Sequence, residues 1–319
     1  MGRPRLAAAV AAVALAGLAA VAPAGSGQGR AAWQRLHPSL IERSEVAATV
    51  ARGRVYVLGG FVEGAKTTAG VERYDPRRDR WSRARGMPLA LNHAAAASWG
   101  GRIYVVGGYR GVLARETAAL LRYDPRRDRW TRLADMPTAR AALAVGVVGD
   151  RLYATGGAAG GRALKTLEIF DLRRGRWRRG PDMPTAREHL AGAVHGGAFY
   201  ALAGRAAGQG NFAVMERYVP SRGRWERLPA MRKPRGGIGA ATVGGRIVVA
   251  GGEEPAGTIA EVEAFDPARR RWSSLPDLPT PRHGLGVVSR GRRVFTLEGG
   301  DRPGYAFTNA LEALVVPRS

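Results

Sequence analysis

The 319-residue sequence predicts an all-β protein built from six copies of one unit. A glycine doublet ends a short apolar run at Gly59-Gly60, Gly107-Gly108, Gly156-Gly157, Gly251-Gly252 and Gly299-Gly300, with Ala203-Gly204 degenerate in the same phase. Successive doublets lie 48, 49, 47, 48 and 48 residues apart. Tryptophans keep the same phase at Trp33, Trp81, Trp130, Trp177, Trp225 and Trp272. A period of this length marks a solenoid or a propeller, in which each unit buries its apolar faces against its neighbours.

From the N-terminus, Arg3 and Arg5 precede an apolar run over residues 6–22 and the small-residue triplet Ala22-Pro23-Ala24. This order predicts an export signal over residues 1–24, cleaved after Ala24, and a short linker over 25–31. An uncleaved anchor is the alternative, because the run approaches spanning length. Its weak, alanine- and glycine-rich hydrophobicity speaks for cleavage, and so for a secreted or cell-envelope protein with no membrane span afterwards. The chain has no cysteine, so disulfides are excluded and stability must come from the core.

The repeat region is expected over residues 32–319. In the second unit the strand-like runs are AAAASW, RIYVVGG, ALLRYD and RWTRLADMP, separated by turn chemistry. No helical period survives between them. The octamer YDPRRDRW occurs identically at residues 74–81 and 123–130. Its Tyr, first Asp and Trp read as framework, and its Arg-Arg-Asp-Arg as a solvated hairpin tip. Asp75, Asp124, Asp171 and Asp266 sit where a carboxylate closes the turn on the backbone. Trp33 precedes the first doublet, whereas the last unit's tryptophan slot would fall beyond residue 319. Residues 283–315 thus supply three strands of the last unit, and Trp33-Gln34-Arg35-Leu36 the fourth, which closes a ring and removes its exposed edges.

A glycine doublet after an apolar strand, then Tyr/Phe-Asp, then Trp seven residues past that aromatic, resembles the kelch motif. The resemblance runs from about Trp33 to the C-terminus. It implies a six-bladed kelch β-propeller with four antiparallel strands per blade, closed by an N-terminal strand that completes the last blade. The repeats do not end in Trp-Asp, which sets them apart from WD40 propellers.

Two further columns recur. Sixteen or seventeen residues before each doublet stands Arg43, Arg140, Arg187, Arg235 or Arg282. Two residues before each Tyr/Phe slot stands Glu72, Glu168, Glu216, Glu263 or Glu312. The second repeat has Leu91 and Leu121 in these slots and so lacks both members together. Joint loss predicts buried structural pairs, since an apolar swap of both partners is tolerated whereas loss of one is not.

Ligand binding is expected on the face formed by the loops before the inner strands and after the doublets. Its candidates are Ser44, Glu45, Asn92, His93, Glu188, His189 and His283, with Tyr109, Arg110, Asn211, Glu253 and Asp301 from the doublet loops. Glu63, Lys66 and Tyr305 join the same loops, while the third and fifth repeats offer Ala141-Ala142 and Gly236-Gly237. The histidines of this column equally read as caps of inner strands. Glu298 stands before the last doublet, where other repeats carry Leu58, Val106, Thr155, Leu202 and Ala250, and a carboxylate there calls for an arginine partner.

Net charge is +24, yet lysine is confined to Lys66, Lys165 and Lys233 and alanine is equally abundant, which fits GC-rich coding rather than nucleic-acid binding. Aromatics do not interleave with the arginines, as a single-strand groove requires. Fourteen arginines sit on hairpin tips of the opposite face, among them Arg77, Arg78, Arg80, Arg126, Arg127 and Arg129. Such a face attracts anionic cell-surface polymers weakly and in a salt-dependent way.

Copper chemistry of the galactose oxidase kind needs a cysteine–tyrosine cross-link and is excluded. The sequence shows no metal-ligand spacing, nucleophile signature or phosphate loop, so no metal and no cofactor are expected. The expectation is a monomeric, non-catalytic module that binds a protein segment or glycan. The alternative is a sugar mutarotase or epimerase resembling the exported sialic acid mutarotases, with Glu45, Glu188, His189 and His283 as acid/base candidates.

Overall fold

The computed structural model describes residues 1–2, 32–112 and 115–316, so the proposed linker and all but the first two residues of the proposed signal lie outside the described residues. Six four-stranded antiparallel sheets follow one another along the chain. In blade one the strands are Ala47–Ala51, Arg54–Leu58, Val71–Asp75 and Arg80–Ala84, paired in that order. The sixth sheet takes Gly286–Arg290, Arg293–Gly299 and Thr308–Val315, and its outer strand is Trp33–Arg35. Trp33 pairs with Leu314 and Arg35 with Glu312, so the N-terminal strand closes the ring in the expected register.

Each hydrophobic core lies between two blades. Tyr56, Leu58 and Val71 of blade one pack with Ile103, Val105, Leu121 and Tyr123 of blade two. Val288, Phe295 and Leu311 of blade six likewise meet Val55, Val57 and Tyr74 of blade one, so the seam of closure is packed like the other joints. The first strand of each blade lines the axis, where alanine and glycine dominate. Close approach explains that choice. A Cβ on Gly239 would overlap Val287, and one on Gly146 would overlap Phe199 and Val194.

The repeated tryptophans pin one blade to the preceding one by hydrogen bonds as well as by packing. Trp81 Nε1 donates to the His37 carbonyl at 2.8 Å, Trp130 to Arg85 at 2.9 Å, and Trp33 to Pro276 at 2.8 Å. Asp75 and Asp124 accept from the amides of Arg77 and Arg126 at 3.1 and 3.0 Å, closing their turns. The second aspartate of the octamer corrects the reading of the whole tip as solvated. Asp79 Oδ1 accepts from the Tyr74 hydroxyl at 2.7 Å and from the His37 amide at 3.0 Å. Asp128 likewise accepts from Tyr123 and from the Arg85 amide. This aspartate therefore ties the hairpin to the blade before it.

All five framework arginines are fully buried, and each meets its glutamate at 2.6–3.1 Å. Each also donates to at least one backbone carbonyl. Arg282 binds Glu298 O at 2.7 Å and Ala310 O at 2.9 Å, stitching strands of its own blade. In blade two, Leu91 and Leu121 fill the same place within one apolar cluster.

Blade six corrects one alignment. The paired left-handed residues are Gly59-Gly60, Gly107-Gly108, Gly156-Gly157, Ala203-Gly204 and Gly251-Gly252, but in blade six they are Glu298 (φ 55°) and Gly299 (φ 99°). Glu298 thus occupies the first doublet slot rather than the position before it, and the sheet register shifts at this point. A side chain in that slot faces the next blade's framework arginine. Glu298 Oε1 meets Arg43 Nη2 at 2.9 Å across the closing seam, beside Glu72 at 2.8 Å. Burial pushes the Glu298 carboxyl up to about 7, against the pull of Arg43.

Candidate functional site

The residue two places past each framework arginine slot turns the chain from the outer part of one blade into the next inner strand. Glu45, His93, Ala142, His189, Gly237 and Gly284 all take left-handed backbone there. Their backbones join around the axis. His93 N donates to Glu45 O at 3.0 Å, Ala142 N to His93 O at 2.8 Å, and His189 N to Ala142 O at 2.9 Å. Gly237 N then donates to His189 O, Gly284 N to Gly237 O, and Val46 N closes the hoop on Gly284 O at 3.2 Å. Behind this hoop lies an axial cavity of about 140 Å³, lined by Glu45, His93, His189 and small residues of the inner strands.

Side chains on the hoop form a polar circuit. Glu188 Oε1 accepts from Arg205 Nε at 3.1 Å, and Arg205 Nη1 reaches Glu253 Oε1 at 2.6 Å. Glu253 Oε2 lies 3.6 Å from His283 Nδ1, which is also 3.2 Å from Glu45 Oε1. Glu45 Oε2 stands 3.2 Å from His93 Nε2, and His93 Nδ1 is 2.7 Å from Asn92 Oδ1. His189 Nδ1 contacts the Glu188 carboxylate directly. Asn211 supports the circuit from outside by donating to Glu253 O at 2.7 Å.

Protonation follows from these contacts. His283 faces acceptors at both ring nitrogens, the other being Arg302 O at 3.1 Å from Nε2. Burial would lower it, but Glu45 and Glu253 outweigh that and hold it above its usual value. Burial likewise raises Glu45, yet the histidines around it prevail and keep it well below the usual carboxylate range. His93 is pushed down to about 4, chiefly by burial, against the pull of Glu45. Burial also raises Glu188, while His189 and Arg205 bring it below the ordinary value.

One side of the mouth is aromatic. Phe61 meets His93 edge-on at 5.7 Å between centroids, Tyr305 meets Phe61 at 5.4 Å, and Tyr109 meets His93 at 5.6 Å. Tyr305 is half exposed, so the wall reaches solvent.

Of the expected ligand-face residues, Glu45, Asn92, His93, Glu188, His189, Glu253 and His283 come together at the axis, with Asn211 and Tyr109 beside them. Ser44 is buried and pairs through its backbone with Phe61. Arg110 and Asp301 are exposed on outer loops, as are Glu63 and Lys66. Sequence reasoning missed Arg205 and Phe61. Both stand in the column directly after the doublet, where Tyr109 and Glu253 were recognised. It also saw no metal-ligand spacing, yet among the described residues Glu45, His93 and His189 place one ligand atom each within 4.8 Å of one another. Linear spacing conceals this trio, because its members come from three repeats and meet only in the hoop.

The sequence matches the Kelch motif over residues 42–88, 90–137, 139–184 and 234–279, more than half of the chain. Blade four, with its degenerate doublet, and blade six, split between the two ends of the chain, fall outside those ranges. Mouse Kelch-like protein 38 is 38% identical over 65 residues, and mouse Kelch-like protein 36 is 37% identical over 65. Each alignment covers 20% of this chain and only 11% of the relative. A solved structure, "Structure of YjhT", superposes with a TM-score of 0.74 at 14% identity over 86% of this chain and 95% of its own. At that identity the likeness concerns the fold. Repeats, blade architecture and motif matches agree that this chain belongs to the kelch-repeat β-propeller family.

Proposed function

We propose that the protein is an exported, non-catalytic binding module whose axial mouth takes a glycan or a protein segment. The observation that carries this reading is the unequal mouth. Tyr109 and Tyr305 stand on one side, Tyr305 against the buried Phe61, and the Glu188–Arg205–Glu253–His283–Glu45 circuit stands on the other. An aromatic face beside fixed donors and acceptors suits a ligand with one apolar face and many hydroxyl or amide groups. The small residues of blades three and five leave space between the two sides. Fold alone does not assign function, so the argument rests on this mouth.

Screening the purified chain against glycan and peptide arrays tests the reading. Specific binders are expected, with Tyr109→Ala and Arg205→Ala each weakening them at least about tenfold. Binders that ignore both substitutions would place recognition elsewhere on the molecule.

The contact of His189 with Glu188 favours a second reading, a sugar mutarotase or epimerase, since a carboxylate–imidazole pair can pass a proton at ring opening. NMR exchange spectroscopy on a panel of reducing sugars separates the two. Anomeric exchange accelerated by the wild type and lost in Glu188→Gln would make the protein an enzyme.

A further inference from the structure

We infer that Glu45, His93 and His189 form a binding site for one divalent first-row transition-metal ion, of which Zn²⁺ is the type, at the throat of the axial mouth. The inference does not depend on which ligand the mouth binds.

The argument begins at Asn92. Its Nδ2 lies 2.8 Å from the Gly111 carbonyl oxygen, which can only accept, and 2.8 Å from Thr67 Oγ1. The Thr67 hydroxyl itself donates to Gly111 O at 2.7 Å, so it accepts from Asn92. The amide is thereby oriented, and Oδ1 is the atom that faces His93 Nδ1 at 2.7 Å. Because Oδ1 accepts, His93 Nδ1 carries a proton, and Nε2 is the nitrogen turned to Glu45. Its Nε2 lies 3.2 Å from Glu45 Oε2, and a metal ion can take the place of a proton between these two atoms.

His189 is prepared in the same way. Its Nδ1 is held by Glu188, which Arg205 fixes in turn at 3.1 Å, so Nε2 is the nitrogen left to bind. An imidazole whose far nitrogen is held by a carboxylate or an amide oxygen is the usual form of a metal-binding histidine, with tautomer and ring direction set in advance. Glu45 is equally constrained. His283 holds Oε1 at 3.2 Å, leaving Oε2 for the ion, and a Cβ on Gly284 would overlap the carboxylate.

Two imidazole nitrogens and one carboxylate oxygen suit borderline divalent ions such as Zn²⁺ better than Ca²⁺ or Mg²⁺, which prefer all-oxygen shells. Bonds of about 2.0–2.1 Å in a tetrahedron put neighbouring ligand atoms about 3.3 Å apart. Glu45 Oε2 and His93 Nε2, at 3.2 Å, already stand at that spacing. His189 offers its ligand atom within 4.8 Å of the other two, and three protein ligands leave a fourth position for water or a bound ligand.

Zn²⁺ titration of the chelator-treated, tag-free full-length chain by isothermal calorimetry tests the site. One ion per chain is expected, and His93→Gln and His189→Gln should each weaken binding at least about tenfold. Glu188→Gln should weaken it about ten- to a hundredfold through the orientation of His189 alone. His195→Gln should leave it unchanged. Thermal melts of the metal-free variants check that they fold. In the wild type, ring ¹⁵N resonances of His93 and His189 should move on Zn²⁺ addition, with Nε2 responding most, a readout that needs no variant. Absence of saturable binding, undiminished binding in the double histidine variant, or shifts confined to His37 and His195 would overturn the inference.

Discussion

Glu298 brings a buried acid to a seam that the other blades close with a small residue. Its carboxyl ionises near 7, raised by burial and by Glu72 against the pull of Arg43, compared with 4.5 in a free side chain. Between those values the folded chain binds more protons than the unfolded one, so stability falls as pH rises from about 4.5 to 7 and changes no further above that. The span corresponds to about 3 kcal/mol. Urea denaturation at pH 5 and pH 8 should show this loss in the wild type and a flatter profile in Glu298→Gln; equal slopes in both would rule the effect out. Asp79 acts at the same scale. Asp79→Ala removes acceptors from Tyr74 and from the His37 amide and should lower stability by about 1–3 kcal/mol, read from denaturant midpoints.

Glu298 and Asp79 also mark where single residues escape a reading of the sequence. The doublet pattern placed Glu298 one position too early, because Gly299-Gly300 looks like every other doublet while the backbone uses Glu298-Gly299. Counted from the left-handed residue, all five arginines stand sixteen positions upstream, and the apparent seventeen disappears. Asp79 looked like part of a charged tip, since nothing local reveals an amide arriving from His37 on another blade.

At the level of the blade, the arginine–glutamate pairs were legible because blade two supplies the comparison. Where both partners are leucine the fold is unchanged, so the pair fastens strands without being required for the fold. Arg140→Leu or Glu168→Leu alone should cost about 3–5 kcal/mol, since each strands a buried charge. The double variant should return to within about 1 kcal/mol of wild type, as an exchange of both partners allows. Additive losses in that cycle would show that the two side chains act separately. The mouth was less legible. Its residues were found singly, in pairs after each arginine slot, but the circuit joining them depends on blades brought side by side around the axis. Arg205 was lost because it follows the weakest doublet, Ala203-Gly204.

Across the whole molecule, composition acquires a second meaning. Alanine and glycine line the axis, where six inner strands converge and larger side chains would collide. The architecture was legible throughout, down to the strand that closes it, because a period near 48 residues repeated six times leaves one arrangement that buries every blade face. Removing residues 32–37 would expose the edge Thr308–Val315 and take away the His37 contacts of Trp81 and Asp79. Differential scanning calorimetry should show a melting temperature lower by about 10 °C or more, and an unchanged melt would mean that the ring does not rely on this strand.

The closing strand also has a mechanical consequence. Trp33–Arg35 runs antiparallel to Thr308–Val315, so the chain enters and leaves the ring at the same end of one strand pair. Tension applied between the two ends loads the pairs Trp33–Leu314, Gln34–Ala313 and Arg35–Glu312 one after another, as in a zipper, rather than together. A ring held by six packed joints thus yields to a pull at one. Tethered by its ends, it would open first at the seam that Glu298 and Arg43 hold from within.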